Sequence, residues 1–395
     1  MTLSKEVDEC LGRVSRKRLL RVATSLIDQP SPTGQAGAAA DCLARLIGEA
    51  GLNAERLDAG HPHAPAVCVR LQTARPGPTL QFNGHLDVVP LPFVPSRVEG
   101  NRLRGSGSAD MKGGLATAVE AMFALHDAGW PRRGSLLLTA HDLHEAPWGD
   151  GSQLERLIEA GGVGDAILIP EPLCHNLPVR GRGQACWLIR IRRPGPPTHE
   201  VMHPEAEPHV QIAAADLVLQ LDQLNQQIAE QTDLLAGRSS VFVGQIHCGE
   251  MYNQSPQYAI LEGTRRWIPG QNSAEAELGL RSIAKSVAAR YHVAVDCEFR
   301  VVRDAFFLDE NSSIVTAFQQ AIHHQTGQNL PIGSKPFVDD GNTFWARTQR
   351  PAITHGPLAG GQHTTDEWAD IDDMLRVARV YAETAIRFWE STANA

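Results

Sequence analysis

No run of this chain approaches the roughly 18 apolar residues of a membrane helix, so the sequence predicts no membrane partner. The first residues, MTLSKEVDECLGRVSRKRLLRV, mix charges throughout and hold no apolar signal core. There is no basic block, and the net charge is -9, which argues against nucleic acid as a partner. The seven cysteines are odd in number, widely spread and free of any CxxC spacing. They read as reduced, mostly buried thiols of a cytoplasmic protein rather than as a disulfide framework. Internal repeats and low-complexity tracts are also missing. What remains is a chain of 395 residues with ordinary apolar and charged fractions. It is long enough to bury a large core and to divide into two domains.

What the chain does have is a series of short apolar runs, several of them followed by a candidate ligand. TLQFN precedes His85-Leu86-Asp87. SLLLTA precedes Asp142, His144 and Glu145. AILIP runs into Glu171, and PAITHG stands shortly before His363. Between about 66 and 180 such runs alternate with helical periodicity, including an amphipathic helix from Gly113 to Asp127. This rhythm predicts an α/β fold, a mostly parallel sheet covered by helices. Residues 4–28 and 36–50 add helices ahead of it. From about 181 the character changes. ACWLIRIRR, SSVFVGQI, YAILEGTRRWI and HVAVDCEFRVV read as strands, with helices over 209–230 and 272–290. Strand-helix-strand-strand-helix-strand is the split βαβ pattern of a small α+β domain. The expected organisation is a larger domain of residues 1–180 and 303–395, with residues 181–302 inserted into it.

Open α/β sheets hold ligands just beyond the carboxyl ends of their strands. His85, Asp110, Glu145, Glu171 and His363 are therefore candidates to meet in one crevice. Imidazole and carboxylate together suit zinc or a similar divalent ion. Each motif alone also has a plainer reading. His85 and Asp87 face one side of a strand; they are a ligand with its orienting carboxylate, or an ordinary turn. Arg104 to Gly114 is a glycine-rich loop opening a helix. It is a phosphate cradle, a tight presentation of Asp110, or a capped helix start. It lacks the GxGxxG and GxxxxGK[ST] spacings. The stretch TAHDLHEAPWGDGS offers a carboxylate ligand beside a general base, as a metal hydrolase requires, or is a polar loop. Glu171, and the loop Gly361 to Glu367, divide in the same way between ligand and surface loop.

In their order these segments resemble the M20 metallopeptidase and deacylase family over nearly the whole chain. The order runs GHLDVVP, GSGSADMKGG, a Glu after a strand, IPEP, an inserted domain, DDGNTFW, then GP…GGQHTTDE. The resemblance implies a divalent-metal hydrolase that cleaves an amide or related C–N bond. Its small-molecule substrate would be an N-acylated amino acid or similar carboxylate. Zn2+, or Mn2+ or Co2+, is implied at one or two ions per subunit. His85 and Glu171 would hold one ion, Glu145 and His363 the other, with Asp110 bridging and Asp87 supporting His85. The inserted domain would be a lid that also makes a homodimer contact. Within it, His199 matches a histidine that stabilises the oxyanion in a partner subunit's site. Asn253 matches a substrate-contact turn. Arg266 matches an arginine that grips a substrate carboxylate in two-point geometry.

The chain departs from the family at a catalytic position. Two adjacent glutamates usually follow the third strand, the first as base and the second as ligand; here the pair is His144-Glu145. The interval from Asp110 puts His144 on the base and Glu145 on the ligand. A slipped register puts Asp142 on the base and Leu143 on the ligand. Histidine performs base chemistry near neutral pH. The altered base also motivates two rivals. One is a non-catalytic family member that binds a metabolite or partner protein. The other is a one-metal hydrolase of a non-amide C–N bond.

Overall fold

The computed structural model describes residues 3–147, 149–205 and 207–391, and the chain divides into two compact units. The first comprises Met1–Val179, Leu308–Gly333 and Thr343–Ala395; the second comprises Arg180–Phe307 and Ser334–Asn342. Trp148, in the loop that carries His144 and Glu145, lies outside the described residues.

At the middle of the first unit, Thr79–His85 pairs in parallel with Ser135–His141 on one side and Ala166–Ile169 on the other. Ala352–Thr354 continues the parallel array beyond Ala166–Ile169. On the opposite side come Ala66–Gln72 and then Ala54–Leu57, each antiparallel to its inner neighbour. Only Ala66–Gln72 therefore runs against the rest. The central strands are buried along almost their whole length, which is why they read as continuous apolar runs. Their shared direction puts His85, the turn at Asp142, and Glu171 at the same end of the sheet.

Two helices differ from the sequence reading. The helix expected over 4–28 is two helices, Leu3–Leu11 and Arg16–Ile27. The Ser15 side chain caps the second by accepting from Arg18 N, while Ser15 N donates to the buried Glu120 carboxylate at 2.7 Å. A tertiary contact thus breaks a pattern that periodicity alone would continue. Lys112–Asp127, read as amphipathic, is buried on every side through Leu125. It packs against the sheet and against the helices Arg16–Ile27 and Ile371–Ser391. A helix enclosed in this way has no wet face to show a polar stripe. Its first turn needs glycine: a Cβ on Gly114 would stand 1.9 Å from Pro170 O. The helix start thus lies against the residue preceding Glu171.

The second unit is a four-stranded antiparallel sheet in the order Ser240–Cys248, Tyr258–Trp267, Gly183–Arg192, Ala294–Arg303. Helices Val210–Ile228 and Ser273–Tyr291 pack on it around Trp187, Ile189, Leu217, Leu261 and Leu280. Alternation along Gly183–Arg192 is strict, odd positions buried and even ones partly exposed. The molecule is thus α/β with a mostly parallel sheet, joined to an antiparallel α+β unit of strand-helix-strand-strand-helix-strand order. All seven cysteines are free thiols. Among the described residues no helix is long and apolar enough to cross a membrane.

Candidate metal centre

His85 ends the central strand, and its ring Nδ1 lies 2.9 Å from the Asp87 carbonyl oxygen. A carbonyl only accepts, so Nδ1 carries the proton and Nε2 is turned to the site. That Nε2 lies 3.2 Å from Asp110 Oδ1 and 3.5 Å from Glu171 Oε1. The other oxygen of Asp110 is 3.6 Å from His363 Nε2, which in turn is 3.2 Å from Glu145 Oε2. All five candidate ligands therefore meet, with Asp110 between the two imidazoles. The glycine-rich loop presents Asp110 because Glu367 accepts from Gly107 N at 2.6 Å and Ala109 N at 3.4 Å.

The turn 142–145 is fixed from both sides. One Asp87 oxygen accepts from His144 N at 3.0 Å and Glu145 N at 2.9 Å, and the other stands 3.6 Å from His85 Nδ1. Asp87 thus ties the His85 strand end to the loop that carries the next two side chains. Asp142 turns away from this cluster. Its oxygens accept from Gly34 N, Ala36 N and Leu143 N at 2.9, 2.9 and 2.6 Å. Leu143 itself adopts φ 64° and His363 φ 59°. Non-glycine residues held in the left-handed region gather where a scaffold fixes a functional loop. The His144 ring stacks on that of His85 at 4.0 Å with planes 8° apart, and its Nε2 is 3.7 Å from Glu171 Oε1.

Charge is crowded here. Burial, then the Asp110 charge, pushes the Glu171 carboxyl up to about 8. The adjacent carboxylates of Asp110 and Glu145 lift His363 to about 10. Burial opposes a charge on His85, but its bonds to Asp110, Asp87 and Glu171 outweigh burial and raise it well above the imidazole range. Burial likewise opposes ionisation of Asp110, yet His363 and His85 hold its carboxyl below the usual range. Burial and the Asp110 charge push Glu367 up to about 7. All these shifts share a cause: a buried group of carboxylates whose charge needs balancing by cations. Metal ions fit that need. The donor atoms of His85, Asp110 and Glu145, and of His85, His144 and Glu171, lie within 4.8 Å of one another. Ligands on one tetrahedral ion with bonds near 2.1 Å stand roughly 3.4 Å apart, and the contacts among the five candidate ligands span 3.2 to 3.6 Å.

The remaining sequence candidates belong to the second unit. His199 and Asn253 are brought together there, Asn253 Nδ2 lying 3.2 Å from His199 Nε2. Arg266 sits on Tyr258–Trp267 opposite Gln184. Burial, then the Arg182 charge, holds its guanidinium below the ordinary value, and among the described residues no carboxylate pairs with it. Sequence reasoning gave no role to Arg193, and placed Glu367 only in a loop that offers a ligand or is surface. Charged side chains beside glycines and prolines carry no local signal of the distant backbone they will hold.

A model of the family described as peptidase family M20/M25/M40 matches residues 81–387. The chain belongs to this family. As a member it is a hydrolase of the M20 type. It is 27% identical over 404 residues to a succinyl-diaminopimelate desuccinylase of Paracidovorax citrulli, covering 96% of this chain and all of that one. A desuccinylase of Marinobacter nauticus is 25% identical, with 93% and 97% covered. Among solved structures, aminopeptidase PepT of Bacillus cereus superposes with a TM-score of 0.80 at 16% identity, covering 95% of this chain and 100% of that one. The M20 metallo-carboxypeptidase Sso-CP2 of Sulfolobus solfataricus does so with 0.76 at 16%, covering 94% and 99%. At such identities these two speak for the fold.

Proposed function

We propose that this M20 member hydrolyses the amide bond of a small N-acylated amino acid, or of a similar molecule carrying a carboxylate. The observation that carries the reading is the meeting of five metal-type donors, Asp110 among them, with the His144 imidazole beside them. His85 and Glu171 would hold one divalent ion and Glu145 and His363 a second, with Asp110 within reach of both; zinc would suit the donors, with manganese and cobalt next. When bound, such ions polarise a carbonyl and make water a better nucleophile near neutral pH. The rest is the work of the chain. His144 takes a proton from the attacking water at Nε2 and returns it to the leaving amine. His85 is held by the Asp87 carbonyl with Nε2 toward Asp110 and Glu171, so we assign it as ligand, and His144, stacked beside it and 3.7 Å from Glu171, as the proton carrier. Asp142, with its carboxylate occupied by three backbone N–H groups, is a poor alternative base. His199, held beside Asn253, is assigned to the oxyanion of a partner subunit's site. Arg266, which has no acidic partner among the described residues, receives the substrate carboxylate.

The desuccinylase relatives make N-succinyl amino acids the first compounds to try. The test is a hydrolysis screen of N-succinyl and N-acetyl amino acids and dipeptides, run with elemental analysis of the same protein. Turnover with two ions per chain is the expected result. Full metal content with no turnover of any compound would favour the non-catalytic rival. One ion per chain, with hydrolysis confined to other C–N bonds, would favour the second.

We also propose a homodimer built through the second unit. Ser240–Cys248 is an edge strand with Phe242 63% and Ile246 52% exposed, and Val210–Ile228 exposes Ile212 and Leu219. Unpaired edge groups beside apolar side chains invite a second copy. Light scattering is expected to give the mass of two chains; a monomer at every concentration would remove this proposal.

A further inference from the structure

The segment that carries His199 has almost nothing apolar to hold it. Residues 194–205 contain Pro194, Pro196, Pro197 and Pro204, and none of the three residues of the turn Glu200–Met202 is buried. Val201 and Met202 are among the most exposed apolar side chains of the chain. The turn that carries Asn253 is equally short of core, joined to it by the two-residue pairing of Thr198 and His199 with Ser255 and Gln254. Segments with few buried apolar contacts open easily. An imidazole working on such a segment needs another restraint.

Arg193 is that restraint. Its side chain is wholly buried, and its five N–H groups meet five acceptors. Nε donates to Pro256 O at 3.0 Å. Nη1 donates to Pro194 O at 2.9 Å and to Glu207 Oε2 at 2.7 Å. Nη2 donates to Pro196 O at 3.0 Å and to Ser255 O at 3.2 Å. Two of these acceptors lie just before His199, one beyond it, and two just after Asn253. The guanidinium therefore gathers both segments at the point where Asn253 Nδ2 meets His199 Nε2. Lysine could not replace it, because an ammonium has three donors in a different geometry.

We propose that Arg193 is a positioning residue, which sets the His199 imidazole for the reaction by holding its segment against the Asn253 turn. This rests on the role given to His199 above. Misplacement of a catalytic group by about 1 Å costs up to about 100-fold in rate. Arg193→Lys should therefore lower kcat by roughly 10- to 100-fold, with KM, metal content and mass in solution little changed.

The deciding experiment is a double-mutant cycle with His199→Ala. If Arg193 acts through His199, the double variant will be no slower than His199→Ala alone. A merely structural role would give losses that add, and that result, or an unchanged kcat in Arg193→Lys, would overturn the proposal. Imidazole 15N resonances of His199 supply a readout independent of turnover. They should move toward those of a free, exposed histidine in Arg193→Lys; unmoved resonances would also overturn it. If His199→Ala alone leaves kcat intact, the oxyanion role of His199 falls, and the resonances alone decide whether Arg193 positions the ring. Should Arg193→Lys fail to fold, Glu207→Gln keeps the four carbonyl contacts, and the same shift is expected there in smaller degree.

Discussion

Alanine at position 144 will cut kcat by roughly 100- to 10,000-fold, the usual worth of a positioned proton carrier, while the protein keeps its metal ions. The imidazole reaches the centre from a turn fixed by Asp87, and it lies against His85 and within 3.7 Å of Glu171. Removing it leaves His85, Asp110, Glu145, Glu171 and His363 in place. Elemental analysis and kinetics on the same sample check both halves of the statement. Asp142→Ala serves as the contrast. Its carboxylate accepts three backbone N–H groups in a buried turn, and leaving one such donor unmatched costs about 1–3 kcal/mol. That variant should lose thermal stability and keep most of its turnover per folded molecule. If His144→Ala works normally and a folded Asp142→Ala does not, the slipped register is right and His144 is not the base.

Asp110→Ala will reduce metal binding further than any other single change. One of its oxygens faces His85 and the other faces His363, so both proposed ions lose a ligand together. Loss of an outer contact alone costs roughly 10- to 100-fold in metal affinity, and loss of a shared ligand should exceed that. His363→Ala touches only one side, and its ring is half exposed, so it should leave about one ion bound. Titration calorimetry with Zn2+ distinguishes the two. Undiminished content in Asp110→Ala would remove Asp110 from the centre.

Much of the centre could be read before the fold was known, for a simple reason. A strand covered on both faces is apolar until it leaves the core, so the first polar residues after it mark the sheet's rim. His85, Glu145 and Glu171 were legible on that ground, and the order of the motifs supplied Asp110 and His363. The helix Lys112–Asp127 was legible as a helix but not as a buried one, because burial on all sides depends on partners from residues 16–27 and 371–391. The break at Ser15 was hidden for the same reason. Arg193, Glu367 and Asp142 act by holding backbone far away in sequence, and side chains that bind carbonyls or amides leave no periodic mark. The pair His144-Glu145 was legible as a departure from the family pattern, and the structure stacks the His144 ring on that of His85.

The five donors are also unevenly spaced along the chain. Four precede the second unit, while His363 follows all of it. During synthesis the side of the centre built by His85 and Glu171 has its donors early, and the side needing His363 must wait until the whole antiparallel unit has emerged. On the proposed assignment, the ligands of one ion would be synthesised well before the last ligand of the other.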